Sequence, residues 1–161
     1  MSKEKDFQRI YEENYDKVIR LCLGYVSGDE DLAKDLAQET FIKVWKHLDG
    51  FRNEAKMITW IYRITVNTCL QELRKKKPTH LEIEVAAQET TSWDNSEKRF
   101  SQMYRCINKL SAENETIILL ELENLPQAEI AEIVGISHQA VRTRINRIKK
   151  QLAKCVNDEE I

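Results

Sequence analysis

The sequence predicts an all-α protein of two small helical domains joined by an acidic linker, the second containing a helix-turn-helix. Three observations carry that reading. Apolar residues recur at three- and four-residue steps through most of the 161 residues, with only four glycines and two prolines to interrupt them. Charge is sorted along the chain: residues 1–77 hold 15 basic and 13 acidic side chains, residues 78–97 none and five, and residues 98–161 ten and nine. The stretch from Leu125 to Leu152, LPQAEIAEIVGISHQAVRTRINRIKKQL, has the punctuation of two short helices around a tight turn. The expected boundaries are 1–77 for the first domain, 78–96 for the linker and 97–161 for the second domain.

In the first helix Phe7, Ile10, Tyr11, Val18, Leu21, Cys22 and Tyr25 recur at helical intervals, and the helix ends near Ser27 and Gly28. Asp29, Glu30 and Asp31 suit the first turn of the second helix, where negative charge is favoured. That helix runs to about Leu48 with Ala33, Ala37, Phe41, Val44 and Leu48 as its inner stripe. Leu32, Leu36 and Trp45 lean to another side, so it needs more than one partner. From the residues alone, a centrally packed helix and one with an exposed docking surface account for this equally well.

Asp49 to Met57, DGFRNEAKM, reads as a loop, and a third helix follows from about Ile58 to Lys76. Ile61, Ile64, Thr68 and Leu73 are expected inside, with Thr59, Arg63, Asn67 and the run Arg74–Lys77 on other sides. Trp60 has two readings. It is either core or, with Phe51, Arg52 and Asn53, a stacking surface for unpaired bases whose backbone Arg63 and the lysine run would hold.

Pro78 stops the third helix. Residues 79–95 show no clear period, and their carboxylates would repel DNA; Trp93 stands alone among them. The pattern resumes with Phe100, Met103, Ile107 and Leu110. Ser111 can cap the next helix, whose Ile117, Ile118, Leu119 and Leu122 back the helix-turn-helix. Pro126 suits a first helical position, and Ile130, Ala131 and Val134 form an inner face. Gly135 tolerates a left-handed exit. Ser137 then caps a last helix with Val141, Ile145, Ile148 and Leu152 inward.

The outer face of that last helix is polar and basic: Gln139, Thr143, Asn146, Arg147 and Lys150, with Arg142 on the flank. Between Ile133 and Asn157 there are six Lys or Arg and no acidic residue. Such a helix fits a DNA major groove. His138, Gln139, Arg142 and Thr143 are placed for base edges, and Arg144, Arg147, Lys149 and Lys150 for phosphates.

Formal net charge is only −2, so the overall balance gives no hint of nucleic acid; the distribution does. Cys22, Cys69, Cys106 and Cys155 are far apart and form no CxxC pair, and His47, His80 and His138 lie at no ligand spacing from them. Reduced buried thiols, no metal and no cofactor are expected. No spaced acid–base pair supports catalysis. With no signal peptide and no apolar run near the roughly 20 residues of a membrane span, the sequence points to the cytoplasm.

The chain resembles a bacterial RNA polymerase sigma factor of the small extracytoplasmic-function group. The resemblance lies in DLAQETFIKVWKHLDGFR at 35–52, TWIYRITVN at 59–67 and EIAEIVGISHQAVRTRINRIKKQL at 129–152. It implies a subunit that performs no bond chemistry. The implied core-polymerase site, which meets the clamp helices, contains Asp35, Gln38, Glu39 and Trp45. The implied −10 and single-strand site contains Phe51, Arg52, Asn53, Lys56, Trp60, Arg63, Asn67 and Arg74. The implied −35 site contains His138, Gln139, Arg142, Thr143, Arg144, Arg147 and Lys150. The resemblance also implies contact with the polymerase flap, promoter DNA both as duplex and as nontemplate single strand, and an anti-sigma factor, often membrane-bound. Four positions depart from the usual pattern. Met57–Ile58 stand in place of Phe-Arg, Gln71 in place of Asp, Ser111 in place of Pro, and Pro126 in place of Ser or Thr. They leave the promoter sequence unassigned. The expected absence of a third domain sets the chain apart from housekeeping sigma factors. An ordinary dimeric regulator or a helical adaptor would use the last helix differently, and neither accounts for all three stretches together.

Overall fold

Local sequence decides where each helix starts and stops. The computed structural model describes residues 2–52, 56–75 and 95–159, and every regular element among them is helical. Helix α1 spans Lys3–Tyr25 and begins at Ser2, whose side chain accepts from the Lys5 backbone N–H at 3.3 Å. It stops where Ser27 and Gly28 take positive φ, and Gly28 N–H donates back to Leu23 O at 2.9 Å. Asp29 then caps α2, Glu30–His47, by accepting from Leu32 N–H. Glu30 and Asp31 occupy its positive end, and Lys46 and His47 its negative one. A short 3₁₀ turn, Leu48–Gly50, leads through the loop to α3, Met57–Lys75. These three helices pack together as one unit.

The second unit comprises α4, Asn95–Asn108; α5, Ala112–Leu122; α6, Gln127–Val134; and α7, His138–Glu159. Ser111 caps α5 through Asn114 N–H, and Ser137 caps α7 through Ala140 N–H at 3.1 Å. Pro126 serves as the N-cap of α6 rather than its first helical residue. Gly135 adopts φ 84°, and its N–H and that of Ile136 both reach Ala131 O, which closes α6 and turns the chain into α7. Ile130, Ala131, Val141, Ile145, Ile148 and Leu152 are buried, as their spacing predicts. The expected linker lies outside the described residues, apart from its last two positions, which open α4.

Several inner-face expectations are corrected. Tyr11 is 40 % exposed, and Phe100, Met103 and Leu122 also face outward. In α4 the buried positions are Cys106 and Ile107, because that helix packs chiefly on α7 and is tied to it by a Cys106–Cys155 disulfide. The expectation of reduced thiols holds only for Cys22 and Cys69, whose sulfurs lie 3.8 Å apart in the first unit. Thr59, expected outside, is buried.

The two units meet along a seam. Gly24 of α1 is buried where an added Cβ would collide with Leu119 Cδ2 of α5. Arg20 grips the Glu123 carboxylate through Nε and Nη2 at 3.0–3.2 Å, and the Tyr62 hydroxyl donates to the same carboxylate at 3.1 Å. The Tyr25 hydroxyl bonds Thr116, and Ser27 Oγ donates to Asn108 Oδ1.

The helix-turn-helix depends on the stripe beneath α7. Ile145→Ala should cost about 2–5 kcal/mol, as removal of a buried aliphatic side chain leaves a cavity. A thermal melt followed by circular dichroism tests this; an unshifted transition would show that the stripe does not hold the unit together.

Candidate functional site

The first surface is a groove between α1 and α2. Phe7, Tyr11 and Tyr15 stand four residues apart on α1 and form a ladder of rings, with centroids 6.2 and 5.2 Å apart. Tyr11 packs edge-on to Phe41 at 4.8 Å and Phe7 to Trp45 at 5.3 Å. Together with Lys34, Gln38 and Ile42 they line an open concavity of about 540 Å³. Of the residues assigned to polymerase contact, Gln38 and Trp45 lie in this groove, and Asp35 and Glu39 are exposed on the same helix beside it. Lys3 sits over the Trp45 ring at 4.2 Å and pairs with Asp49. The α1 wall and Ile42 are absent from the sequence-derived site. The i, i+4, i+8 aromatic repeat of Phe7, Tyr11 and Tyr15 was the available signal; Phe7 and Tyr11 were expected on the inner stripe of α1, and Tyr15 was not singled out.

The second surface surrounds the loop and α3. Phe51 and Trp60 lie with centroids 4.8 Å apart, and Trp60 also packs partly against the core. Arg52, Lys56, Asn67 and Arg74 are exposed and Arg63 is half-buried. Asn53 lies outside the described residues. Lys56 Nζ is 3.6 Å from Glu129 of α6, so this loop touches the second unit.

The third surface is the outside of α7. His138, Gln139, Arg142, Thr143, Arg147 and Lys150 are exposed along it. Ser137, Gln139, Ala140, Thr143, Arg144 and Arg147 edge a shallow hollow of about 380 Å³ at its N-terminal end. Arg144 is turned toward Glu113 and forms an ion pair with it, and Lys149 pairs with Glu121 at 3.5 Å. Both acceptors belong to α5, so the backing helix takes up two of the basic side chains.

Among the described residues no group of three His, Cys, Asp or Glu could hold a metal ion, and no helix is long and apolar enough to cross a membrane.

Two family models match the chain: Sigma-70 region 2 over residues 10–79 and Sigma-70, region 4 over residues 100–152. The ECF RNA polymerase sigma factor SigW of Bacillus subtilis is 33% identical over 159 residues, covering 89% of this chain and 84% of that protein. The ECF RNA polymerase sigma-E factor of Salmonella typhimurium is 31% identical over 166 residues, covering 92% and 85%. Among solved structures, CnrH in complex with the cytosolic domain of CnrY has a TM-score of 0.72 at 21% identity, covering 96% of this chain and 90% of that one. The sigma factor RpoE of Bartonella quintana, in complex with the anti-sigma factor NepR, has a TM-score of 0.72 at 22% identity, covering 95% and 98%. The simple cytoplasmic location expected from the sequence is corrected by these two structures. Both are complexes with a partner, one of them with only the cytosolic domain of that partner, so the lack of a membrane span in this chain does not fix its address.

Proposed function

The chain belongs to the extracytoplasmic-function group of the sigma-70 family, and we propose that its three surfaces divide the work of that family among them. As a member it binds core RNA polymerase, recognises promoters for transcription initiation, and is not an enzyme. Its partners are core polymerase and an anti-sigma factor. We assign residues 1–77 to polymerase docking and the −10 element, 78–96 to the connection, and 97–161 to the −35 element. The observation that carries this division is that an unfilled aromatic groove and a basic recognition helix coexist on one chain.

In this reading Asp35, Gln38, Glu39 and Trp45 meet the clamp helices of the polymerase, with Tyr11 and Ile42 as apolar anchors. Tyr11 and Ile42 are exposed on the walls of one aromatic groove, which supports a partner there. The second unit meets the flap. Gln139, Arg142 and Thr143, with His138, read −35 base edges, while Arg147, Lys150 and Arg144 hold phosphate; Arg144 must first leave Glu113. Phe51, Arg52, Asn53, Lys56 and Trp60 take the flipped −10 base, and Arg63, Asn67 and Arg74 follow the strand. Duplex contact sets the register. Holding unpaired bases outside the helix then shifts the opening equilibrium, because the protein binds only the opened state at that site. The anti-sigma factor seen with RpoE supports such a partner here, and the cytosolic domain of CnrY seen with CnrH supports a partner that has a further, non-cytosolic part.

The test is in-vitro transcription with purified core polymerase, this protein and fragmented genomic DNA, with the 5′ ends of the products sequenced. Starts preceded by a shared pair of elements are expected; no new starts would refute the reading. Ile42→Asp should weaken core binding by about 30-fold, the loss typical of an interface hot spot of about 2 kcal/mol. Unchanged core affinity in a pull-down titration would remove the groove from the docking site. Arg142→Ala should cost about 1–3 kcal/mol at the −35 element and relax preference at one base, with core binding retained. Competition among promoter variants measures this. Trp60→Ala should lower open-complex formation, read by permanganate footprinting, more than closed-complex binding; equal losses in both would mean that Trp60 only packs.

A further inference from the structure

The seam joins two units that the proposed function needs far apart. One turn of DNA spans about 34–36 Å, so elements one and a half turns apart lie roughly 50 Å from each other. Yet Lys56, assigned to the −10 element, is 3.6 Å from Glu129 on the first helix of the helix-turn-helix. While that pair and the Gly24–Leu119 contact persist, only one unit at a time can reach its element. This step rests on the proposed function; the contacts themselves do not.

Within the seam lies a carboxyl group that pairs with no cation among the described residues. Glu115 is 8 % exposed, and none of the ion pairs among the described residues includes it. Asn108 Nδ2 donates to it at 2.7 Å and also reaches Gly24 O of α1 at 3.1 Å, so one amide bridges the carboxyl group and the opposite unit. Ser27 Oγ, again from the opposite unit, holds the other end of that amide. Tyr25 from α1 and Cys69 from α3 also face Glu115. Both stay neutral at ordinary pH: burial holds the Tyr25 hydroxyl well above its usual range, and contact with Cys22 followed by burial does the same for the Cys69 thiol. On α5 itself, Arg144 engages Glu113 and Lys149 engages Glu121.

We propose that Glu115 and Asn108 form a proton-controlled latch: with Glu115 protonated, the helix-turn-helix unit stays shut against α1 and α3, and ionisation of Glu115 releases it for promoter binding. Burial raises this carboxyl from 4.5 to about 7, outweighing the opposing effect of the Asn108 hydrogen bond. Opening the seam returns the group to water and toward its ordinary value. The closed state therefore binds the proton more tightly. Its contribution to closure is fully present below the open-state value, falls as pH rises, and is gone above about 7. A complete return to 4.5 corresponds to a change of about 300-fold in the closed-to-open ratio across that window.

The experiment is small-angle X-ray scattering on the full chain between pH 4.5 and pH 8 at fixed salt, with helical content followed by circular dichroism. At pH 4.5 the radius of gyration should be about 15 Å, the value for one compact body of this length. It should grow by several ångströms as pH rises toward about 7 and not grow further above that. Glu115→Gln, which keeps the shape and cannot ionise, should stay compact throughout. Gly24→Ala, which favours the helix but crowds Leu119, should be expanded already at pH 4.5. A wild-type radius that does not change with pH overturns the latch. So does a Gln variant that expands as the wild type does, or a Gly24→Ala chain that stays as compact as the wild type at pH 4.5. No polymerase or DNA enters this measurement, so its failure leaves the transcription reading standing, and failure of the transcription assay leaves the latch to stand or fall on scattering alone.

Discussion

The carboxylate of Glu123 is where the two halves of the chain lock into register. It sits at the end of α5 and accepts from Arg20 of α1 and from Tyr62 of α3, so one group bridges the units and positions three helices. Burial and the neighbouring Glu123 charge push the Tyr62 hydroxyl up, which keeps it a donor. The guanidinium of Arg20 is more than half exposed, so solvent screening limits what this pair adds to stability. Its main effect is geometric. The apolar contact of Leu119 over Gly24 supplies attraction without direction, and the fork of Arg20 on Glu123 supplies direction at modest strength. A seam built this way resembles a transient interface more than a shared core, which suits the proposed division of the two units between separate promoter elements.

The near-neutral charge of the whole chain conceals how the charges are used. The backing helix α5 carries Glu113 and Glu121, and these take Arg144 and Lys149 from α7. Pairing removes some of the basic field but fixes the helix against its support, leaving Gln139, Arg142, Arg147 and Lys150 exposed on the outer side. Affinity for any polyanion is thereby lowered relative to a helix with all its cations free, while the exposed side chains stay positioned for the proposed −35 contact.

Helix ends and periods were legible in the sequence because they are local. Ser111 and Ser137 cap where their side chains permit, Asp29, expected in the first turn of α2, caps it from one place earlier, and Gly135 turns left-handed where few other residues would. Helix faces were less legible where burial depends on which neighbour arrives. Thr40 and Thr65 are buried because each hydroxyl bonds the carbonyl four residues earlier at 2.8 Å, which presents a methyl group to the core. A polar letter in the sequence hides that option. Phe100 and Met103 share a plausible stripe with Ile107, but the disulfide between α4 and α7 orients α4 through Cys106. The groove shows the same split: the family resemblance alone pointed to Gln38 and Trp45 on α2, whereas Tyr11 lines the groove only because α1 packs on α2 there.

Helix α1 explains how one small chain can hold both a docking groove and a closing seam. The groove uses Phe7, Tyr11 and Tyr15, and the seam uses Arg20, Gly24 and Tyr25. From Tyr11 to Gly24 the helix rises by roughly 20 Å at 1.5 Å per residue, so the two surfaces are separated along a rigid rod. Closure consequently leaves the groove open to a partner while it holds Lys56 against the helix-turn-helix. Whatever seizes the groove can meet the chain in its closed form. On the proposed division of work, the two units come within reach of their separate elements only when the opposite end of the same helix lets go.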